Sequence, residues 1–177
     1  NLDNPMQPQV ASTIPLPGAR ATAIQFRYLF ATTDAGLQVI DVTDPTAPRI
    51  TEALVTLADA RKIYPVRTYA YVAAGREGLV IVDIENPEAP RLVQRFTADG
   101  QIKDTWDVQV GGAYASLFAY VADGNAGLKV IQLMSPDSQP NFYGFSPEPK
   151  PELIAWYPTE RPAMALSEGL HRDRAVD

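Results

Sequence analysis

The stretch GLVIVD at residues 78–83 decides the fold, because the chain contains it twice more with small changes. The other copies are GLQVID at residues 36–41 and GLKVIQ at residues 127–132. A pattern that returns about every forty residues is typical of stacked supersecondary units. We therefore predict a repeat protein in place of one irregular domain.

The flanks of each copy repeat as well. YAYVA (69–73) precedes the central copy, and the corresponding segments before the other copies are YLFAT (28–32) and FAYVA (118–122). NPEAPRL (86–92) follows the central copy and DPTAPRI (44–50) follows the first. The same closing segment appears as NPMQPQV (4–10) with no hexapeptide ahead of it. We expect the chain to open inside a repeat, with residues 9–16 forming an orphan last strand of a preceding blade.

The combination of hexapeptide and flanks resembles the LVIVD-repeat family of bacterial and archaeal proteins, whose repeats look like blades of a β-propeller. The resemblance covers residues 4–158 and is carried by residues 79–83 with their two flanks. It implies a β-propeller fold, a surface or periplasmic location and, in some relatives, company with redox proteins. It carries no catalytic residue over to this chain.

Three departures from the family pattern stand out. Gln38 and Lys129 occupy the position of Val80, Gln132 stands where the other copies have Asp, and the connection over residues 135–151 is longer than its counterparts. Polar residues at two of three equivalent positions predict that those two positions reach water, whereas the position of Val80 is dry.

The fold class that follows is all-β, with β-propeller blades: three four-stranded blades plus the orphan strand. Leu79 and Ile81 point to one face of the third strand and Val80 and Val82 to the other, so both faces are apolar. A blade packed between two neighbours is buried on both faces, whereas a sandwich sheet usually has one solvated face. Propellers close with about four to eight blades. We therefore expect a partial propeller, completed by other blades of a longer parent chain or by a second copy.

The turn residues set the predicted boundaries. Residues 1–17 hold the orphan strand, 18–57 blade 1, 58–98 blade 2 and 99–158 blade 3 with its insertions. Residues 159–177 form a tail that is either a short helix or disordered, and Pro162 and Gly169 would start and stop a helix over residues 163–166 ahead of the charged end.

The composition of the chain argues against two classes of binding partner. The net charge of −6 and the pI near 4.8 argue against nucleic acid and anionic membranes, because phosphate binding depends on Lys and Arg. No apolar run approaches the roughly 20 residues of a membrane span, and this piece shows no signal peptide. The absence of cysteine favours a periplasmic or extracellular location.

The cysteine and histidine content limits the catalytic and metal sites that the chain can form. Without cysteine there is no disulfide, thiol nucleophile or Cys-ligated zinc, and His171 is the only histidine. A Ser-His-Asp triad within the blades and a multi-His metal site are therefore excluded. We expect no cofactor, and we expect Asp41 and Asp83 to bond to the amides of neighbouring turns.

Five residues are candidates for a channel-facing or ligand-facing site: Arg61, Arg76, Trp106, Asp123 and Asn125. Trp106 begins an inner strand, where it faces the channel or fills the core. Arg61 and Arg76 lie in connections at one end of the blades, where they bind an anionic ligand or remain solvated. The DGNAG segment that starts at Asp123 resembles the beginning of a calcium loop, but the missing further ligands favour a hairpin turn.

A second candidate site is aromatic. Phe142, Tyr143 and Phe145 lie in the long connection of blade 3, and aromatic side chains are costly to leave in water. They either pack on blade 3 or form a docking site for a partner.

The function that these observations favour is a non-enzymatic β-propeller scaffold for protein–protein interaction, exported from the cytoplasm. Two alternatives remain open. The first is an accessory subunit of a multihaem cytochrome or other redox complex, with a cytochrome or a surface protein as the partner. The second is part of a propeller hydrolase or lyase whose active site lies in absent blades.

Overall fold

The computed structural model describes residues 6–113, 115–137 and 144–167. Within them twelve strands form three separate four-stranded antiparallel sheets, each with the strands in sequence order. Blade 1 contains β1 (Ala21–Gln25), β2 (Tyr28–Thr33), β3 (Gly36–Asp41) and β4 (Arg49–Thr56). Blade 2 contains β5 (Lys62–Val66), β6 (Tyr69–Ala73), β7 (Leu79–Asp83) and β8 (Arg91–Phe96). Blade 3 contains β9 (Asp107–Ala113), β10 (Ser116–Ala122), β11 (Leu128–Met134) and β12 (Glu152–Tyr157).

The three sheets confirm the all-β, blade-repeat architecture. The first strands β1, β5 and β9 of consecutive blades lie beside one another, as the innermost strands of a propeller do. The sheets of the described residues do not close into a ring. None of these residues forms a helix long and apolar enough to cross a membrane.

Blade 2 is buried on both faces, as its third strand predicts. Val80 and Val82 pack in the cluster shared with blade 1, and Leu79 and Ile81 pack in the cluster shared with blade 3. All four side chains are fully buried. Alternate residues of β7 therefore pack on blade 1 and on blade 3.

A glycine begins or directly precedes the third strand of every blade because no other residue fits there. Gly78 has φ +78°, and a Cβ on it would overlap the carbonyl oxygen of Phe96 in the neighbouring outer strand. Gly36 and Gly127 meet the carbonyl oxygens of Val55 and Tyr157 in the same way. The glycine thus permits the close approach of the third and fourth strands.

The face of blade 3 that points away from blade 2 has no neighbouring sheet in the described residues. It is the counterpart of the face of blade 2 that packs on blade 3, with Tyr120 in the place of Tyr71. Tyr71 is fully buried, whereas Tyr120 is 39 % exposed. Phe118 and Val130 on the same face are half-buried. Blade 3 therefore presents an interblade surface without a fourth blade on it.

The segment predicted as an orphan strand, residues 9–16, pairs with no strand of the described residues, so its place in a preceding blade stays a prediction. The segment nevertheless has the alternating burial of an extended chain: Ser12, Ile14 and Leu16 are half-buried and the residues between them are exposed. Ser12 donates a hydrogen bond to the Pro45 carbonyl at 2.7 Å, which holds the segment against blade 1. An extended segment becomes a strand only when a partner strand satisfies its backbone.

Residues 163–166 do not form the short helix that was one alternative for the tail. Ala163 instead forms a pair of backbone hydrogen bonds with Gly124, at 3.0 and 2.9 Å. Gly75 and Thr105 make the same bridge between blades 2 and 3. The tail is therefore placed as the lead-in to a further blade would be, and tertiary pairing overrides the local helix signal. Residues 168–177, including His171, lie outside the described residues.

The two polar replacements of Val80 differ in their surroundings. Gln38 is half-buried and its Nε2 donates to three carbonyl oxygens, those of Val39, Thr51 and Ala53. The expectation that Lys129 reaches water is wrong, since Lys129 is only 6 % exposed and its Nζ lies 3.9 Å from Asp123. A buried ammonium needs such a partner.

Candidate functional site

An ion-pair network joins the blades where the chain enters each first strand. Arg20, Arg61 and Trp106 hold the same position, directly before β1, β5 and β9. Arg20 donates to Asp34 of its own blade at 2.8 Å and to Asp59, ahead of the next blade, at 2.5 Å. The first arginine therefore connects blade 1 to blade 2.

Arg61 repeats this arrangement between blades 2 and 3. Its guanidinium bonds to Asp59 at 2.5 and 2.8 Å and to Asp104 at 2.8 Å. The guanidinium carbon also lies 4.0 Å from the ring centroid of Trp106, within the range of a cation–π contact. Trp106 in turn donates its Nε1–H to Asp104 at 2.9 Å. The structure thus brings together two predicted site residues, Arg61 and Trp106, and pairs Arg61 with carboxylates.

Each blade supplies one carboxylate to the network, but not from the same position. Asp59 lies three residues before β5 and faces Gly75 in the β6–β7 turn, where a Cβ would overlap the carboxylate. In blade 1 the two residue types are exchanged: Gly18 lies three residues before β1, and Asp34 fills the space in the β2–β3 turn. One carboxylate and one glycine are needed at each such contact.

The network ends at Trp106 for a chemical reason. Indole has a single N–H, which Asp104 already accepts, so Trp106 has no second donor for a further blade. The Ala163–Gly124 bridge places Pro162 where the preceding lead-in has Asp104, and proline offers no carboxylate. The position of Trp106 therefore lacks a free donor, and the position of Pro162 lacks a carboxylate acceptor, at the same interblade contact.

Hydrogen bonding to Arg61 is the main cause that lowers the pKa of Asp59 below its ordinary value, with a further bond from Arg20; partial burial opposes the shift. A carboxyl with a depressed folded-state pKa stabilises the fold above its unfolded pKa, near 4, and this contribution is lost as the pH falls through the folded pKa. Stability should therefore fall on acidification.

We expect Asp59→Asn to lower the free energy of unfolding at pH 7 by about 1–3 kcal/mol, because two arginines lose a charged acceptor. The variant should also flatten the dependence of stability on pH between about pH 5 and pH 2. Urea unfolding at a series of pH values measures both effects. Asp34→Asn is the control, since Asp34 is largely exposed and meets one arginine. An Asp59→Asn curve parallel to the wild-type curve would contradict the role of Asp59.

Asp123 and Asn125 lie beside this network, in a cavity of about 290 Å³ at the lead-in of blade 3. Its other lining residues are Lys103, Asp104 and Ala126. The Asp123 carboxylate is buried and accepts hydrogen bonds from the backbone amides of Lys103 and Asp104. The segment forms the β10–β11 hairpin turn, as expected. Nowhere in residues 6–113, 115–137 and 144–167 do three or more His, Cys, Asp or Glu side chains gather as metal ligands would.

Arg76 stands apart from the other predicted residues. It lies at the same end of the blades but is exposed in the β6–β7 turn, and it makes none of the ion pairs that join the blades. Asp59, Asp104 and Arg20 were missed as members of the network. Their signal is the repeated spacing of charged residues one and three positions before a first strand.

The opposite end of the blades carries an apolar cavity of about 280 Å³ between blades 1 and 2. Phe26 and Phe145, which we call the aromatic rim, lie at this cavity and are 91 % and 79 % exposed. Phe26 also has φ +54°, a left-handed conformation that costs a residue with a side chain about 1–2 kcal/mol. Neither burial nor relaxed geometry explains a phenylalanine there.

Phe145 comes from the long connection of blade 3. Ser146 fixes this segment on blade 2, because its hydroxyl lies 2.6 Å from the hydroxyl of Thr68 in the β5–β6 turn. The connection therefore extends across blade 2 to the cavity. Phe142 and Tyr143, the other two predicted aromatics, lie outside the described residues.

Asp41 and Asp83 make the local bonds that were expected. Asp41 accepts from the Thr43 amide and Asp83 from the Glu85 amide, both at 2.9 Å. The Thr43 hydroxyl, followed by its amide, lowers the pKa of Asp41. These carboxylates stabilise the connection after the third strand.

Stacked four-stranded sheets with adjoining first strands and a repeated interblade contact define a propeller-like repeat protein. The family model described as LVIVD repeat matches residues 23–56, 59–98 and 102–145, one match for each blade. The chain belongs to the LVIVD-repeat family. No curated protein and no solved structure matches it.

Proposed function

We propose that this chain is a non-catalytic propeller-type scaffold that binds another protein through the aromatic rim. The observation that carries the proposal is the exposure of Phe26 and Phe145 on an apolar cavity. Interface hot spots are enriched in aromatic side chains that surround such a pocket. The repeat frame suits this role because it presents a broad and rigid surface.

We further propose that the scaffold acts in the periplasm or outside the cell, where its lack of cysteine is an advantage. Its partner is then to be sought in those fractions. Cell fractionation tests the location directly, and a protein confined to the cytoplasm would contradict it.

The experiment compares affinity capture by the wild-type chain with capture by the double variant Phe26→Ser, Phe145→Ser. We expect the variant to retain at least tenfold less of the captured protein, because each hot-spot side chain contributes more than 1.4 kcal/mol. Its thermal midpoint should stay within a few degrees of wild type, since both side chains are exposed.

Trp156→Ser is the matched control, because Trp156 is an exposed aromatic on the outer strand of blade 3. This control should retain the partner. Equal capture by all three proteins would refute the aromatic rim as the docking surface, and no specific capture by the wild type would refute the scaffold function.

The open face of blade 3 calls for a second partner, a further blade. In the isolated 177-residue chain a second copy is the only source of one, so we expect light scattering to report a mass above 19.3 kDa. Tyr120→Glu, which places a charge in the middle of that face, should lower the mass to that of the monomer. A stable, monodisperse 19.3 kDa wild-type monomer would sink this proposal.

A further inference from the structure

We infer that the cavity between blades 1 and 2 is a pocket for an extended peptide segment, which inserts one apolar side chain and donates a backbone N–H to Gln25 Oε1. The inference rests on the proposed function, since it names the chemistry by which the partner protein is recognised. It commits to a peptide, because three separate features of the cavity match what a peptide offers.

The first feature is the lining. Tyr28 and Phe30 of β2 are buried members of the core cluster, and Ile84 and Pro87 from the connection after β7 complete an apolar lining. At about 280 Å³ the cavity lies just below the usual range for ligand pockets. This size suits a single side chain better than an extended cofactor.

The second feature is an unpaired acceptor. Gln25 lines the cavity, and its Nε2 donates to the Arg67 carbonyl at 2.7 Å, which fixes the orientation of the side-chain amide. The Oε1 atom is buried, and no described residue donates a hydrogen bond to it. Buried polar atoms are rarely left without a partner. Gln25 Oε1 therefore lacks a donor among the described residues.

Comparison of the blades shows that the repeat does not require this glutamine. The equivalent positions at β5 and β9 are Val66 and Gly111, each of which pairs with the second strand of its blade as Gln25 does. Neither can present a side-chain amide. Gln25 is therefore specific to the blade that contributes the cavity.

The third feature is the aromatic rim. A polypeptide that places one side chain in the cavity continues past it on both sides, and Phe26 and Phe145 offer apolar surface to those flanking residues. A peptide also carries an N–H next to every side chain, which is the donor that Gln25 Oε1 lacks. A small apolar molecule would match only the apolar lining of the cavity.

The test uses blocked pentapeptides, Ac-Ala-Ala-X-Ala-Ala-NH2, with X as Phe, Leu or Ala, titrated into the full 177-residue chain and followed by NMR. We expect the Phe or Leu peptide to bind at least tenfold more tightly than the Ala peptide and to shift the signals of the Gln25 side-chain amide. Two ester analogues remove the N–H of X or of the residue after it. One of them should bind roughly 5- to 10-fold more weakly.

A double-mutant cycle assigns that loss to the acceptor. In the Gln25→Met variant, which keeps the length of the side chain but removes the acceptor, the ester and the amide peptide should bind equally. An ester penalty of the same size in Gln25→Met would overturn the proposed hydrogen bond.

The remaining outcomes separate the pocket from the scaffold. If no peptide binds while capture of a partner still depends on Phe26 and Phe145, the pocket is refuted and the scaffold function stands. If peptides bind only after Phe142→Ser and Tyr143→Ser are introduced, the chain's own aromatics occupy the cavity and the inference is overturned. If peptides bind as expected while capture is indifferent to the rim, the scaffold function fails and the pocket remains.

Discussion

Replacing Val80 by aspartate is expected to lower the thermal midpoint of unfolding by roughly 6–20 °C, or to prevent folding. Val80 is fully buried between Val72 of β6 and the outer strand, in the cluster that joins blades 1 and 2. An uncompensated charge in such a place costs about 3–5 kcal/mol, and each kcal/mol corresponds to about 2–4 °C in a chain of this size. Scanning calorimetry measures the shift.

The equivalent positions in the other blades provide the comparison. Gln38→Asp loses three hydrogen bonds to carbonyl oxygens in a half-buried site, so we expect a loss of about 1–3 kcal/mol. Lys129→Asp should be as damaging as Val80→Asp, because it sets a second carboxylate beside the buried Asp123. Lys129→Met, which adds no charge, should be milder. Equal losses for Val80→Asp and Gln38→Asp would contradict the burial described for blade 2.

Replacing Gly78 by alanine is expected to cost about 3 kcal/mol or more. The substitution adds a side chain at φ +78° and drives its Cβ into the Phe96 carbonyl oxygen, which belongs to the backbone and cannot rotate away. The third and fourth strands of blade 2 would have to separate. Urea unfolding measures the loss, and the same change at Gly36 or Gly127 should act similarly.

Gly100→Ala separates the conformational cost of a positive φ from the cost of the overlap with the Phe96 carbonyl oxygen. Gly100 has φ +83°, nearly the conformation of Gly78, but nothing lies within 4 Å of a Cβ built on it. Its replacement should therefore cost only the conformational part, about 1–2 kcal/mol. If the two variants lose the same stability, the contact with Phe96 is unimportant.

The blades could be predicted from sequence because their cause is local and repeated. Each third strand is apolar at consecutive positions, and only a sheet buried on both faces accommodates that pattern. The orphan strand and the tail helix were different, because the conformation of these segments depends on pairing with distant parts of the chain. Residues 9–16 look like a strand but have no pairing strand within the described part of the chain, and residues 163–166 look like a helix although Ala163 pairs with Gly124.

The ion-pair network and the cavity were harder to predict than the blades. Arg61 and Trp106 could be singled out one at a time, but their contacts depend on how consecutive blades are rotated against each other. Phe145 was found by its chemistry, whereas its neighbour Phe26 was not singled out from the sequence. The left-handed backbone and the approach of Ser146 to Thr68 become visible only in three dimensions.

The exchange between Gly18 with Asp34 and Asp59 with Gly75 sets a limit on how these repeats can be shuffled or idealised. A consensus blade takes the commonest residue at each alignment position separately. It therefore ignores that the residue before the first strand and the residue in the turn are paired. Two aspartates would then collide where one carboxylate fits, and two glycines would remove one of the two carboxylates that Arg20 or Arg61 contacts. The two residues of this contact, one before the first strand and one in the turn between the second and third strands, therefore have to be exchanged together. Grafts and recombination points that keep both residues in one segment should preserve the blades.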